Sequence, residues 1–170
     1  MRSIRTLRLL LEPQLAAHAD EMFAVLSDPA IYEFENEPPR SLEWLSQRFR
    51  ELESRRSADG TQGWLNWVVR LSDLRAIGYV QATVYPDRTA LIAYEFNSVH
   101  WGKGVAREAV EALLRELADS YRVTTAGAVF KRTNHRSRKL LERLGMKSTA
   151  ASQFPSELAS KDEDAAAKSL

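Results

Sequence analysis

The sequence predicts a single domain of the α/β (α+β) class, and three observations support this prediction. The 170 residues amount to one domain, and no linker rich in Gly, Pro or Ser divides them. The first half contains two amphipathic helical patterns, followed by strand patterns rich in Val, Ile, Tyr and Trp. The second half alternates strand, helix, strand and helix, which is typical of an α/β unit with right-handed crossovers.

The composition excludes several classes of protein. At this length folding removes roughly 70% of the unfolded chain's surface from water, so a core forms without disulfides or a metal. The sequence has no cysteine, which rules out a disulfide-rich scaffold and Cys-based metal sites. A net charge of +1 argues against a general polyelectrolyte partner. No apolar run approaches the roughly 20 residues that span a bilayer, and the basic N-terminus is wrongly flanked for a signal peptide, so we expect a soluble, cytoplasmic domain.

Three patterns fill the chain before its first hairpin. Alternating leucines over residues 7–11 predict a short strand that Pro13 ends. Apolar positions that recur every three or four residues predict a helix over residues 14–26. The same spacing predicts a second amphipathic helix over residues 41–52, with Ser41 as its N-cap.

The next segment has the composition of strands. Residues 64–71 and 76–85 are joined by a polar turn and predict a hairpin. A third strand, Thr89–Phe96, is apolar at both odd and even positions. Because a strand of that kind is buried on both faces, we expect it to be central in the sheet.

The remaining elements alternate between helix and strand. Residues 106–117 have the spacing of a strongly amphipathic helix, and residues 123–130 predict the next strand. Asn134 is a good N-cap for a last helix, which Gly145 is suited to end.

The loop at residues 101–106, Trp-Gly-Lys-Gly-Val-Ala, is the segment of the sequence that most strongly indicates a binding site. Backbone amides in a glycine-containing turn that leads into a helix form a cradle for phosphate or pyrophosphate. A dinucleotide fingerprint requires a third glycine where Arg107 stands, and a nucleotide-triphosphatase loop requires a different spacing and a hydroxyl. Taken alone, the loop also fits a purely structural role, in which Gly102 and Gly104 only turn the chain.

The loop and its flanking segments together resemble the GNAT superfamily of N-acetyltransferases, in its RimJ/RimL-like branch. The coenzyme A loop of that superfamily reads Gln or Arg, two residues, Gly, one residue, then Gly or Ala, and Trp101, Gly104 and Ala106 occupy those positions here. Trp in the first position departs from the general pattern but is common in this branch. Three further segments resemble the branch in order and spacing, namely residues 9–13, 92–96 and 134–146. The resemblance covers roughly residues 7–148.

The resemblance implies a GNAT-like single domain, residues 1–150, in which a mixed central sheet splays at the acetyl-CoA site with helices on both faces. It implies acetyl-CoA as the acetyl donor and no metal. The cofactor-binding residues it implies are Phe96, Asn97, Ser98, Trp101, Gly102, Lys103, Gly104, Val105, Ala106, Asn134 and Ser137.

The implied activity is direct transfer of the acetyl group to a primary amine, on a protein N-terminus or a small molecule. Many members use as general acid a Tyr seven residues after the helix Asn, where this sequence has Leu141. Ser137 is the proposed substitute, although it also fits an ordinary first-turn Ser. Glu95 is our candidate base, because a partly desolvated carboxylate there would have a raised pKa. Leu91 occupies a position where relatives often carry a strand Glu.

Several other residues invite a functional interpretation. Glu35 and Glu37 could grip the amine or act through water, or form a solvated acidic loop. Trp64 and Trp67 should face opposite sides of the hairpin, one in the core and the other in the core or beside the acceptor. His18, His100 and His135 share no metal-ligand spacing, and His18 falls on a helix that is expected to pack. A basic cluster comprises Lys131, Arg132, Arg136, Arg138, Lys139 and Arg143.

The basic cluster lacks the aromatic interleaving of a nucleic-acid surface, so we expect no direct nucleic-acid binding and one or two contacts to the phosphates of coenzyme A. The tail at residues 151–170 is poor strand material, and predicts either disorder or a weak final strand from Ala165 onward. Alternatives of another class remain open, namely a non-catalytic acyl-CoA-binding sensor or partner domain and a nucleotide-binding regulator. Self-association as a homodimer, through the hairpin or tail, is also open.

Overall fold

A computed structural model of the chain describes residues 1–34, 36–150 and 162–170. Within these residues it contains eight strands, four α-helices and three short 3-10 turns. The strands are β1 (Ile4–Arg5), β2 (Leu9–Pro13), β3 (Gly63–Leu71), β4 (Ala76–Val84), β5 (Thr89–Phe96), β6 (Thr125–Lys131), β7 (Lys147–Thr149) and β8 (Glu163–Ser169). The helices are α1 (Ala19–Leu26), α2 (Leu42–Leu52), α3 (Val105–Tyr121) and α4 (His135–Arg143).

All eight strands form one mixed sheet in the order β1-β2-β3-β4-β5-β6-β8-β7. Neighbouring strands are antiparallel except β5 and β6, which are parallel because α3 crosses over between them. The predicted hairpin is confirmed as β3 and β4, and the predicted central strand as β5.

Helices cover both faces of the sheet, as the fold class predicts. On one face α1 and α2 pack around Val68 of β3 with Met22 and Phe49. On the other face α3 and α4 pack against the opposite side of the same strands, around Trp67 and Leu113. The alternation of side chains along β3 therefore divides the core into two layers.

Two of the predicted helix starts are confirmed by their caps. The hydroxyl of Ser41 accepts a hydrogen bond from the Trp44 amide at 3.1 Å, and the Asn134 side chain accepts one from the Ser137 amide at 3.0 Å. Gly145 follows α4 with φ +75°, a left-handed conformation that favours glycine.

The helix predicted over residues 14–26 begins later, at Ala19, after a 3-10 turn at Ala16–His18. Leu15, which precedes the turn, has no side-chain oxygen to cap it. Instead the Leu15 amide donates to Nδ1 of the buried His18 at 3.1 Å, and the Glu53 carboxylate accepts from the Ala16 amide. Periodicity does not reveal these partners, of which Glu53 is distant in the sequence, and together they stabilise a tighter first turn.

The tail contains a strand, which is one of the two alternatives that its composition left open. β8 begins at Glu163, two residues before Ala165, and pairs with β6 on one side and β7 on the other. Asp164 forms ion pairs with Arg132 and Arg138, at 3.2 and 2.6 Å. Pairing on both edges overrides the weak intrinsic preference of an alanine-rich segment. Residues 151–161 of the predicted tail lie outside the described residues.

Candidate functional site

A gap opens in the sheet between β5 and β6. The two strands pair only at Thr89–Leu91 of β5 with residues 125–127 of β6. Beyond that point β5 continues alongside β4, whereas β6 pairs with β8 through Lys131. The sheet is therefore splayed, as the resemblance implied.

Backbone groups of β5 face this gap. The Asn97 amide donates to Ile77 at 3.0 Å and Thr89 accepts from Tyr85 at 2.9 Å, so odd-numbered residues of β5 bond to β4. Since an antiparallel ladder alternates, the backbone groups of Tyr94 and Phe96 point the other way, into the gap. The Phe96 carbonyl accepts from the Trp101 indole at 2.7 Å. The Phe96 amide and the Tyr94 backbone thus form an edge that an extended ligand can pair with.

The next two predicted binding positions have amides that bond within the protein. The Asn97 amide bonds to Ile77, and the Ser98 amide donates to Asp28 at 2.7 Å. Hydrogen bonds from Ser98 and Ala30 lower the pKa of Asp28. Asp28 therefore ties the segment after α1 to the end of β5.

The glycine loop leads from this edge into α3. Gly102 and Gly104 adopt φ of +73° and +77°, and Gly104 is the N-cap of the helix. A Cβ at Gly102 would meet nothing within 4 Å, so the turn is open on its outer side. The amides of the first helical turn, which includes Val105 and Ala106, have no intrahelical partners and lie at the positive end of the helix dipole. The loop has the geometry of an anion cradle.

A network from the N-terminal segment supports the loop. Arg8 donates to the Lys103 carbonyl at 3.0 Å and to the Glu108 carboxylate at 2.7 Å, and the Thr6 hydroxyl donates to Glu108 at 2.6 Å. Burial alone would raise the pKa of Glu108, but the hydrogen bonds from Thr6 and Arg8 outweigh burial and lower it. No local pattern in the chain signals this network, because its partners lie about a hundred residues apart.

Ser137, the candidate acid, is hydrogen-bonded to Tyr94 through their two hydroxyls at 2.8 Å. Tyr94 is a residue that sequence reasoning missed, although it lies within the segment 92–96 on which the resemblance rests. Burial raises the pKa of Tyr94 to about 12, so its hydroxyl keeps its proton near neutral pH. Leu141, which replaces the usual Tyr, is buried in the core.

Glu95, the candidate base, faces the opposite side of β5 from Tyr94, since successive strand residues alternate. Its carboxylate accepts a hydrogen bond from Asn36 at 3.3 Å. Burial, together with the negative charges of Glu95 and Asp28, raises the pKa of Tyr32. The structure does not bring Glu95 and Ser137 together on one face, but places them on either side of the strand that borders the gap.

A cavity of about 700 Å³ lies on the Glu95 side, between the sheet and α2. Glu37 and Trp44 line it with Glu95, whereas Glu35 lies outside the described residues. Trp67 is completely buried in the core, and Trp64 is half-buried with the Arg48 guanidinium 5.9 Å from its ring centroid. The cavity therefore has acidic and aromatic walls at the end nearest β5.

Arg136 contacts both the glycine loop and the segment between α1 and α2. Its guanidinium lies 4.4 Å from the Trp101 ring centroid and 5.2 Å from that of Phe34, and it forms an ion pair with Glu33. Other members of the basic cluster pair with β8 instead, Lys131 with Glu163 and Arg138 with Asp164. Much of the cluster is thus engaged in ion pairs within the fold.

In the part of the chain that the structure describes, no three His, Asp or Glu side chains come together as a metal site requires. No helix within the described ranges is long and apolar enough to cross a membrane.

The splayed parallel pair and the glycine loop beside it define an acyl-coenzyme A-dependent transferase architecture. The profile of the acetyltransferase (GNAT) domain matches residues 8–147. The chain belongs to this family of acetyl-CoA-dependent acetyltransferases.

Solved structures with this fold span nearly the whole chain. A GNAT-family acetyltransferase from Bacillus anthracis is similar with a TM-score of 0.78 and 20% identity, over 98% of both chains. The RimL ribosomal L7/L12 α-N-protein acetyltransferase in complex with coenzyme A is similar with a TM-score of 0.81 and 14% identity, over 99% of this chain and 98% of that one. The ribosomal-protein-S5-alanine acetyltransferase of Vibrio fischeri is similar with a TM-score of 0.77 and 19% identity, over 98% of this chain and 96% of that one. At these identities the likeness is one of fold.

Proposed function

We propose that this protein transfers the acetyl group of acetyl-CoA directly to a primary amine, on a protein N-terminus or a small molecule. The observation that carries the proposal is the gap between β5 and β6, which adjoins the open glycine loop on one side and a cavity with carboxylates on the other. Donor and acceptor can thus approach β5 from opposite faces. Two RimL-like acetyltransferases among the structures of similar fold act on ribosomal proteins, which supports an amine acceptor.

The glycine loop and the edge of β5 would hold the donor. The amides of Gly102, Lys103, Gly104, Val105 and Ala106 would bind the pyrophosphate, because they lie in the turn that forms the N-terminus of α3. The Phe96 amide, which faces the gap, would donate to the thioester carbonyl and stabilise the negative charge of a tetrahedral intermediate. Asn134 would act by capping α4 and so fixing Ser137 at the gap.

The chemistry requires the amine to lose a proton and the thiolate to be stabilised. Nitrogen attacks the carbonyl carbon, a C–N bond forms, the C–S bond breaks, and the amine proton passes to Glu95. Ser137 donates a hydrogen bond to the departing sulfur and is itself oriented by Tyr94. This hydrogen bond with Tyr94 holds the Ser137 hydroxyl in a defined orientation.

A transfer assay with amine acceptors tests the proposal. We expect Ser137→Ala to lower kcat by about 10- to 100-fold and Glu95→Gln by about 100-fold, with the KM for acetyl-CoA unchanged, as for a lost acid or base. Ser27→Ala, a change at an exposed Ser that bonds to Phe23, is the matched control and should leave kcat unchanged. Unchanged turnover in both site variants would overturn the assigned roles. Binding of acetyl-CoA without transfer to any amine would favour the sensor.

A further inference from the structure

The cavity on the Glu95 side has a second end with different chemistry. Three carboxamides line it there, from Gln14 just after β2, Asn66 on β3 and Gln81 on β4. Asn66 and Gln81 are direct partners across the two strands. The backbone amide of Gln14 donates a hydrogen bond to the backbone carbonyl of Asn66 at 2.9 Å, so the three residues lie side by side on neighbouring strands. Arg48 of α2 lines the same cavity. The end away from β5 is therefore rich in neutral and cationic donors.

The side chain of Gln14 has a buried hydrogen-bond donor at this end of the cavity. The residue is only 2% exposed, yet its side-chain nitrogen Nε2 has no hydrogen-bond partner among the described residues. A buried amide donor left without a partner is costly, and such a group calls for an explanation. Gln14 lines the cavity, so a rotation of its carboxamide would expose Nε2, itself closed to solvent here, to an oxygen atom on a bound molecule.

We propose that Gln14, Asn66 and Gln81, together with Arg48, form a specificity subsite that binds a hydrogen-bond-accepting oxygen on the acceptor, remote from its amine. This inference rests on the proposed function, in which the amine binds near Glu95. A carboxamide both donates and accepts hydrogen bonds, so three of them match the peptide groups of an extended chain. Arg48 adds a preference for a carbonyl or carboxylate oxygen over a positive charge.

The charges around the cavity disfavour a second cation at the end away from β5. Among the described residues that line it, the carboxylates are Glu37 and Glu95, and Glu95 is on the strand that borders the gap. The opposite end has Arg48 and no acid in the described lining. A polyamine, whose second cation would be placed beside Arg48, is therefore disfavoured by like-charge repulsion.

The sheet register gives the length of the acceptor. Glu95 pairs with Tyr79, two residues from Gln81, and Asn66 lies one strand further. With about 4.8 Å between strands and about 3.4 Å per residue, Glu95 and Asn66 are about 12 Å apart. Gln14 lies one strand beyond Asn66, which places it about 16 Å from Glu95. An extended peptide advances about 3.3 Å per residue, so its third or fourth residue reaches Asn66 and its fifth reaches Gln14.

Acetyl transfer and binding with four acceptors test the subsite: penta-alanine amide, penta-alanine with a free carboxylate, propylamine and spermidine. We expect Gln14→Met to raise the KM for both pentapeptides by about 3- to 10-fold, the cost of one hydrogen bond, with kcat and the KM for propylamine unchanged. Gln47→Met, the same change on the exposed side of α2, is the matched control. The Tm of Gln14→Met should be unchanged or raised, because the variant removes an unpaired buried donor.

Each outcome decides the inference separately from the proposed function. A pentapeptide KM that Gln14→Met leaves unchanged, or spermidine used as well as the pentapeptide amide, overturns the subsite while acetyl transfer still supports the proposed function. If no amine is acetylated, the proposed function fails, and thermal stabilisation by the pentapeptide amide in the presence of coenzyme A decides the subsite. Stabilisation that Gln14→Met weakens supports it, and no stabilisation of the wild type overturns it.

Discussion

At the scale of single residues, the proposed chemistry depends on the hydroxyl pair of Tyr94 and Ser137. Ser137 alone is an ordinary first-turn residue of α4, whose amide is capped by Asn134. The hydrogen bond between the Tyr94 and Ser137 hydroxyl oxygens, which are 2.8 Å apart, orients the Ser137 side chain. Tyr94 is in this account a positioning residue that acts through Ser137.

We therefore predict that Tyr94→Phe lowers kcat by about 3- to 10-fold, less than Ser137→Ala, because Ser137 loses its orientation but keeps its hydroxyl. The double variant should be no slower than Ser137→Ala, since both changes act on the same group. Steady-state kinetics of the three variants would measure this. Additive losses in the double variant would contradict a role through Ser137.

The raised pKa of Tyr94 also predicts a pH dependence of stability. The group ionises near pH 10 in the unfolded chain and at about 12 in the folded protein. Between these values the unfolded state binds fewer protons than the folded state, so the free energy of unfolding falls as pH rises from 10 towards 12. Tyr94 accounts for a loss of about 1.4 kcal/mol at pH 11.

Urea unfolding of the wild type and Tyr94→Phe at pH 8 and pH 11 measures this loss. The stability advantage of the wild type should shrink by about 1.4 kcal/mol between the two pH values. Tyr32 and Tyr121, whose pKa values are also raised by burial, are present in both proteins and cancel. A difference that does not change with pH would contradict the buried environment of Tyr94.

At the scale of elements, the close packing of β4 against β5 fixes the end of β5 that borders the gap. Gly78 of β4 pairs with Phe96, the last residue of β5. A Cβ at Gly78 would lie 2.2 Å from the Glu95 carbonyl oxygen and 2.8 Å from the Phe96 Cα. Only a residue without a side chain allows β5 to keep its position there.

Gly78→Ala should consequently destabilise the fold by about 2 kcal/mol or more, because backbone atoms have to shift. Gly63→Ala is the matched control on β3, where a Cβ would make ordinary contact with Val84 at 3.5 Å. Thermal or urea unfolding compares the two variants. Equal stabilities would mean that β4 and β5 are not packed as described.

Elements whose signals are local were predictable from the sequence, and elements held by distant partners were not. The caps of α2 and α4 and the hairpin of β3 and β4 follow from side chains within a few residues. β1 has two residues, too few to show a period, and exists by pairing with β2. β8 has three alanines at its centre and depends on its two neighbouring strands.

At the scale of the whole molecule, the proposed site consists of two compartments divided by β5. The glycine loop and the gap, proposed for the donor, adjoin α3 and α4, whereas the cavity proposed for the acceptor lies under α2. The glycine loop was visible in the sequence because its residues are contiguous. The contacts of Ser137 with Tyr94, and of Gln14 with the cavity, were not, because they join segments 43 or more residues apart or depend on the sheet register.

The central claim, that the glycine loop beside the gap holds acetyl-CoA, is tested most directly by thermal stabilisation. The panel is acetyl-CoA, coenzyme A, ATP and NAD on the wild type, Gly102→Glu and Gly60→Glu. Gly102 and Gly60 have φ of +73° and +72°, and a Cβ added at either would meet no atom within 4 Å, so both variants are strained alike. Only Gly102→Glu places a carboxylate at the cradle.

We expect acetyl-CoA and coenzyme A, but not ATP or NAD, to raise the Tm of the wild type and of Gly60→Glu, because a ligand that binds only the folded state stabilises it. Gly102→Glu should lose this response while unfolding at a temperature close to that of Gly60→Glu. No shift with acetyl-CoA in the wild type, or an equal shift in Gly102→Glu, would contradict the account.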